Sequence, residues 1–484
     1  MSNATGFAEI AGSFIEAWAD NLIEPYENQN PLLASAPFSQ GQMMGGKFHW
    51  PVRVTTEGGI TFTAPQLTAG DTSALPYVGA RSGYTPDWQI EAPQIDGRSR
   101  VKYEAIARSM KSVSGEDAKS KKAVRAATKI VMEGLLGSAF KRAEALMLHG
   151  RRGLGQVNNN SSVVAASTTP GNELANPFDN NIAGFIVDIE FTSATWIEGI
   201  WIQSEGATFD LFANTAGAPS GTKLNTTINT ALSGTFQNGL ILTMVNPPTP
   251  QTGLVNGTSQ VIRLFHSSGT AGGAGVGIIG GATFNQINAS AHVTYESGGP
   301  ASEFIGLTTM AQNTGTLFNV SGATYSVARG NTDAAVGNLK LADLVRRLSR
   351  PINKGARGKK IRAVVPTELF AQFANDEATL RRYLSSDASA KNGFGNLEMY
   401  LPHGGTLEIL GHTLQKYGEV LCYVPEEVIR IGAQDISMIE RGKTKDQLIL
   451  EVAASPASEM RLYGQFAPLM QAPCHTLSLT GVTF

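Results

Sequence analysis

The sequence predicts an α+β fold of several units, and three patterns carry that expectation. Residues 114–149 have the periodicity of one long helix. Residues 158–300 hold short apolar runs set among turn residues. Residues 332–430 alternate helix and strand, and further strands close the chain over 436–484. A length of 484 residues suits about three folding units. Charged residues make up 16% of the chain, against about 25% in an ordinary globular protein, and glycine is abundant at 53 residues. That balance excludes a wholly basic nucleic-acid binder, a disordered acidic tail and a coiled coil. It fits a turn-rich chain that hides surface against copies of itself.

The net charge of −2 conceals a partition. Residues 1–46 carry Glu9, Glu16, Asp20, Glu24 and Glu27 and no Lys or Arg. Residues 158–328 carry nine acids against Lys223 and Arg263 alone. The remainder is basic overall, and complementary surfaces of this kind steer copies of a chain together. A start without basic residues does not read as a secretory signal. The most apolar run, residues 239–245, falls far short of the roughly 18 residues of a membrane span. Cys422 and Cys474 are too few for a disulfide framework and read as reduced thiols.

Taken in order, residues 5–23 read as an amphipathic helix with Phe7, Ala11, Phe14, Trp18 and Leu22 on one stripe. Pro25 and Pro31 end it, leaving residues 24–46 extended. The stripe needs cover from the body or from a neighbour, which makes Phe7, Phe14 and Trp18 candidate subunit contacts. Residues 47–106 read as a long two-stranded excursion. Strand-like stretches at 48–55 and 59–63 lead out, and 88–90 and 98–106 lead back, around a tip studded with Pro65, Gly70, Pro76, Gly79, Gly83 and Pro86. An isolated hairpin is marginal in water, so this one must lean on something else, with Trp88 as a further candidate contact.

The helix over 114–149 opens at Ser114 and Asp117, which resemble a capping box. Its apolar stripe is Val124, Ala127, Val131, Leu135, Ala139, Ala143 and Leu146, and its length is roughly 50 Å at 1.5 Å per residue. Gly134 and Gly137 inside it each cost about 1 kcal/mol relative to Ala and predict a hinge. Gly150 ends it. Strands are expected next at 185–191, 197–203, 209–212, 240–245, 261–265 and 291–295, forming a small sandwich or barrel. Then come a helix over 339–348 that stops before Pro351, a strand over 360–365, a helix over 367–384, a loop over 385–395, and strands at 407–410 and 420–424. Strands at 447–453, 459–466 and 475–479 close the chain.

The motifs that carry chemistry are incomplete. Gly275, Gly277 and Gly280 match the dinucleotide fingerprint as a string, but no helix opens after them and no acid follows at the required distance. His403-Gly404-Gly405 resembles an esterase oxyanion loop without a nucleophile elbow. Cys474 and His475 are neighbours on an expected strand, where successive side chains face opposite ways. The seven histidines show no zinc-site spacing. No catalytic residue, metal site or cofactor is therefore expected. Arg346, Arg347, Arg350, Lys354, Arg357, Lys359, Lys360 and Arg362 follow one another with no acid between them. No aromatic residue is interleaved to stack on bases, so a subunit contact is preferred to nucleic acid.

This order of elements resembles the major capsid proteins of tailed bacteriophages. The strings most similar to that family are Gly150-Arg-Arg-Gly-Leu-Gly-Gln156 after the long helix, Trp196-Ile-Glu-Gly-Ile-Trp201 with Glu205-Gly-Ala-Thr-Phe-Asp210, and residues 306–319 followed by Arg329-Gly-Asn331. The resemblance implies an N-terminal arm over 1–46, an extended loop over 47–106, and a spine helix with the start of a peripheral domain over 107–157. It implies a β-rich insertion domain over 158–300, a return to the peripheral domain over 301–331, an axial domain over 332–435, and C-terminal strands of the peripheral domain over 436–484. The implied protein is structural and not an enzyme. It would form pentamers and hexamers of an icosahedral shell around double-stranded DNA, made in the host cytoplasm and resident in the virion. DNA would be contacted non-specifically, through phosphate charge. The implied partners are copies of itself, a separate scaffolding protein, a portal and a decoration protein, and no membrane. A cargo-holding nanocompartment subunit is the alternative; a carbohydrate-binding or hydrolytic protein built around 158–300 is weaker.

Overall fold

The computed structural model describes residues 30–41, 43–56, 83–102, 118–158, 162–167, 184–202, 204–215, 218–223, 240–245, 260–267, 291–296, 302–380, 397–402, 404–437, 449–451 and 457–483. Phe7, Phe14, Trp18, the expected strand at 59–63, Ser114, the loop over 385–395, the glycines at 275–280 and His403 lie outside them.

The chain enters through helix α1 (Pro31–Ser35), where an extended segment was expected. Pro31 opens this helix. Proline suits the first turn, whose N–H groups have no partner within the helix. Strand β1 (Phe38–Gln40) follows, then β2 (Met43–Met44) and β3 (Lys47–Pro51). The returning leg of the excursion divides in two. Strand β4 (Asp87–Ile90) pairs antiparallel with β3, but β5 (Gln94–Lys102) leaves the hairpin for another sheet.

Helix α2 (Ala118–His149) spans 32 residues, about 48 Å at 1.5 Å per residue. Of the expected stripe, Ala143 lies in the hydrophobic core, and Leu135, Ala139 and Leu146 pack against it. The helix runs unbroken through Gly134 and Gly137. It ends at Gly150 for a steric reason. A Cβ there would lie 2.3 Å from the Phe304 carbonyl oxygen, and Arg151 then turns the chain at φ 65°.

The strands form three main sheets. The first pairs β22 (Val428–Ser437), β24 (Ala457–Met470) and β23 (Ile449–Glu451), with β1 parallel to β22 and β5 antiparallel to β24. The second has eight strands: β6 (Gly155–Gln156), β7 (Ser162–Ser167), β8 (Gly184–Glu190), β9 (Thr208–Thr215), β10 (Ala218–Lys223), β11 (Leu240–Val245), β12 (Val261–Ser267) and β13 (His292–Tyr295). The third is mixed and has six: β16 (Thr332–Asp333), β18 (Lys360–Val365), β19 (Leu397–Tyr400), β20 (Thr406–Gly411), β21 (Glu419–Tyr423) and β25 (Leu477–Thr480). A hairpin of β14 (Thr316–Leu317) and β15 (Val320–Ser321) lies outside them, as does β17 (Gly337–Asn338) paired with β26 (Val482–Thr483).

Sheet pairing cuts across two expected boundaries. Strand β22, read with the axial segment, belongs to the first sheet, and β25, read with the peripheral strands, belongs to the third. One hydrophobic core joins α2, the first sheet and the eight-stranded sheet, through residues such as Met147, Phe191, Trp201, Val293 and Phe466. Residues 158–300 therefore share their core with the helix. A second core, around Leu344, Ile361, Phe373 and Leu479, fills the six-stranded sheet and its helices.

Two local expectations are corrected, and one is extended. Residues 197–203 contain helix α3 (Glu198–Trp201) instead of a strand. Trp201 stacks between Phe191 and Phe209, at 5.0 and 5.1 Å between ring centroids, and Gly199 touches the Thr413 backbone so closely that a Cβ would meet its oxygen at 2.6 Å. The expected helix does stop before Pro351, and new helical turns follow it directly. Helix α4 (Leu307–Ala311) precedes the region, α5 (Leu341–Arg347) is followed by a new turn at Ser349–Pro351, and a π-helical turn covers Ile352–Ala356. Pro351 falls in the first turn of the new segment, where no donor is required. Cys474 and His475 lie in a 3-10 turn (Pro473–His475), not on a strand.

Candidate functional site

The entry of the chain is fastened to α2 by one carboxylate. Glu144 is fully buried and accepts the backbone N–H groups of Leu32 and Leu33, both at 2.8 Å. These are orphan donors of the first turn of α1, so Glu144 caps that helix from 111 residues away. His412 supplies a third donor, Nε2 at 3.1 Å. Leu414 N–H donates to His412 Nδ1 at 3.0 Å, which leaves the ring proton on Nε2, facing Glu144. The cue in the sequence is that Glu144 stands in an otherwise apolar run, Ala143 to Leu148, and a helix apolar all round is buried.

The root of the excursion is held as firmly. Tyr84 N–H donates to Thr55 Oγ1 at 2.7 Å, and Val54 N–H to the Tyr84 carbonyl at 3.1 Å. Trp88, a candidate subunit contact, is buried within the chain against Phe318 of the β14–β15 turn, 5.6 Å between centroids. Gln89 N–H donates to the Phe318 carbonyl at 3.0 Å, and Tyr84 packs on Tyr325 at 5.7 Å.

A buried ionic cluster joins α2 to the other two sheets. Arg152 pairs with Glu419 at 2.9 Å, and Lys416 is buried beside them. Burial raises the Glu419 carboxyl, but Arg152 and Lys416 outweigh it and hold the group well below the carboxylate range. Burial lowers Lys416 to about 8, against the attraction of Glu419. His149 and His292 are pushed down to about 3 and about 4, by burial first and then by the charge of Lys416. Both are therefore neutral at pH 7. His149 donates from Nε2 to the Leu414 carbonyl at 3.0 Å.

The basic run is mostly compensated within the chain by acids distant in sequence. Asp333 takes Arg347 at 2.5 Å and also Arg350. Lys354 donates to Asn331 at 2.5 Å, Lys359 pairs with Glu427, and Lys360 lies 3.4 Å from Glu408, which also holds Arg362 at 2.8 Å. Arg346 pairs with Asp343 on its own helix at 3.1 Å. Arg357 is exposed and makes no ion pair among the described residues. His475 directs Nδ1 at Glu427, 2.8 Å away, and Nε2 at the Lys354 carbonyl, 3.1 Å away. Both nitrogens face acceptors, and hydrogen bonds with Cys474 and Glu427 raise the imidazole to about 10. It is an imidazolium ion that braces the π-helical turn, where Gly355 adopts φ 123°.

Among the described residues, no three His, Cys, Asp or Glu side chains are grouped to hold a metal ion, and no helix is long and apolar enough to cross a membrane. Glu144, His412, Lys416 and Glu419 were not singled out from the sequence. The elements that bring them together are separated by hundreds of residues, so no local spacing marks them.

No protein-family model and no curated protein matches the chain. Solved structures similar to it over nearly its whole length include several capsids. The cyanophage A-1(L) capsid asymmetric unit is 9% identical, with 96% of each chain covered and a TM-score of 0.47. The capsid of an empty GTA particle is 8% identical over 96% of this chain and 94% of that one, with a TM-score of 0.42. The capsid of Myoviridae phage XM1 is 7% identical over 96% and 95%, with a TM-score of 0.40.

Proposed function

We propose that this chain is a structural shell subunit, the major capsid protein of a tailed phage, and not an enzyme. It assembles with its own copies, as pentamers and hexamers, into an icosahedral shell around double-stranded DNA. The observation that carries this reading is that the body fixes residues 30–35, next to residues 1–29, and residues 54–55 and 84, on either side of residues 57–82. Glu144 pins α1, and Thr55 accepts the Tyr84 N–H. In this reading the adjoining segments, starting from set points, present the same contact to every neighbour, which repetition in a closed shell requires.

In this reading α2 is the spine, the first sheet is peripheral, the six-stranded sheet is axial, and the strands of 158–300 are an elaboration of the peripheral core. Phe7, Phe14 and Trp18 contact a neighbour. Arg357 and the exposed guanidinium of Arg346 are the members of the basic run left to meet another subunit or, through phosphate charge alone, the enclosed DNA. A scaffolding protein, a portal and a decoration protein complete the particle.

Electron microscopy of the full-length protein tests the proposal. Closed particles of many copies are expected, and a strictly monomeric species under assembly conditions overturns it. Deletion of residues 1–30 is expected to abolish closed particles while leaving the melting of the body largely unchanged. Particles filled with an enzyme in place of DNA would establish the cargo-shell alternative.

A further inference from the structure

A cleft of about 420 Å³ lies between α2, β5 and the residues that follow β13. Two of its lining groups lack the partner that the other could supply. Glu303 is buried. Its Oε2 accepts the Arg151 backbone N–H at 3.0 Å, but its Oε1 is buried with no hydrogen-bond partner. The Arg151 guanidinium is committed elsewhere, to the Glu303 carbonyl at 2.9 Å and to Glu91 at 3.3 Å. Arg142 on α2 is half-buried, lies 4.9 Å from the centroid of the Tyr295 ring, and has no carboxylate partner among the described residues. A buried carboxyl oxygen without a donor is costly, and more so when the group is ionised.

We infer that Glu303 and Arg142 form a protonation-operated latch across this cleft. With Glu303 neutral, the guanidinium rests on Tyr295 and the cleft is open. With Glu303 ionised, the guanidinium moves onto the carboxylate and the cleft closes. A guanidinium gains less from resting over a ring than from a charge-assisted bond to a buried carboxylate. The other charged groups facing Glu303 are Arg151, fixed by its bonds, Asp96 and Arg98, exposed on β5, and Glu296, exposed beyond β13. Burial raises the Glu303 carboxyl to about 7 against the smaller opposing effect of Arg151, so the change falls near neutral pH. Because β5 forms one wall and α2 another, the latch sets how tightly the returning leg of the excursion is held to the long helix. This goes beyond the shell assignment and stands without it.

The test is a double-mutant cycle on the full-length chain, with Arg142→Met and Glu303→Gln, melted at pH 5.5 and at pH 8.5. At pH 5.5 Arg142→Met is expected to lower the melting temperature equally in both backgrounds. At pH 8.5 it is expected to cost several degrees more when Glu303 is present than when Gln replaces it. An equal cost in both backgrounds at both pH values overturns the latch. If Glu303→Gln does not fold, Arg142→Met alone decides. Removing the cation must move the wild-type pH midpoint of the stability change upward, and an unmoved midpoint is equally fatal.

Discussion

The ring of Phe318 packs on Trp88 from a backbone at φ 47°, a left-handed conformation that a bulky residue rarely holds. The turn accepts that strain because its carbonyl and its ring together grip the root of the excursion. Trp88→Ala is expected to destabilise the body by about 3–5 kcal/mol. In a cycle with Phe318→Ala, the pair is expected to show about 0.5–1.5 kcal/mol of coupling, measured by chemical denaturation. Additive losses would mean that the ring contact is incidental.

Glu144→Gln keeps the shape of the side chain but leaves one acceptor oxygen for three donors. A loss of about 1–3 kcal/mol is expected. Because the lost bonds are those of Leu32 and Leu33, limited proteolysis followed by mass spectrometry is expected to show earlier cleavage around residues 30–40. An unchanged cleavage pattern would show that α1 is held by packing alone.

The buried histidines set an acid limit. The folded chain holds His149 at about 3 and His292 at about 4, below the ordinary 6.5. Their contribution is therefore complete above about pH 6.5 and is lost as pH falls toward those values. His475 has the opposite sign. Raised to about 10, its contribution is complete below about 6.5 and is lost as pH rises through 10. Melting curves from pH 4 to 10 are expected to fall at both ends. His292→Gln should flatten the acid side and His475→Gln the alkaline side, and a variant that changed neither limb would contradict the assignment.

Glycines in and after α2 are expected to respond in opposite directions. Gly134→Ala places its methyl in open space and is expected to stabilise the helix by about 1 kcal/mol. Gly150→Ala and Gly306→Ala each drive a methyl into backbone, 2.3 Å from the Phe304 oxygen and 2.5 Å from the Gly150 nitrogen, and are expected to prevent soluble expression. If Gly134 acts as a hinge in the assembled shell, the double variant Gly134→Ala with Gly137→Ala slows maturation; unchanged kinetics would remove that role.

Elements defined by their own residues were legible in the sequence. The α2 stripe, the β18 strand and most strands between 184 and 295 follow from periodicity and turn residues. The errors arise where distant parts of the chain decide. Pro31 begins a helix because Glu144 caps it. Residues 198–201 coil because Trp201 enters an aromatic stack. The basic run looked unopposed because Asp333, Glu408 and Glu427 reach it only in the folded chain. The buried carboxylates of the candidate site were not legible, since burial is a property of the whole packing.

The first sheet also constrains how the protein is made. Strand β5 and strand β1 pair with segments from the far end of the chain, and the Arg430 guanidinium bonds the Ala36 carbonyl across 394 residues. A nascent chain still on the ribosome cannot close this sheet, because its partner strands have yet to be synthesised. Folding of this sheet must wait until β22 and β24 have been made and then proceeds slowly, through exposed strand edges that invite premature aggregation.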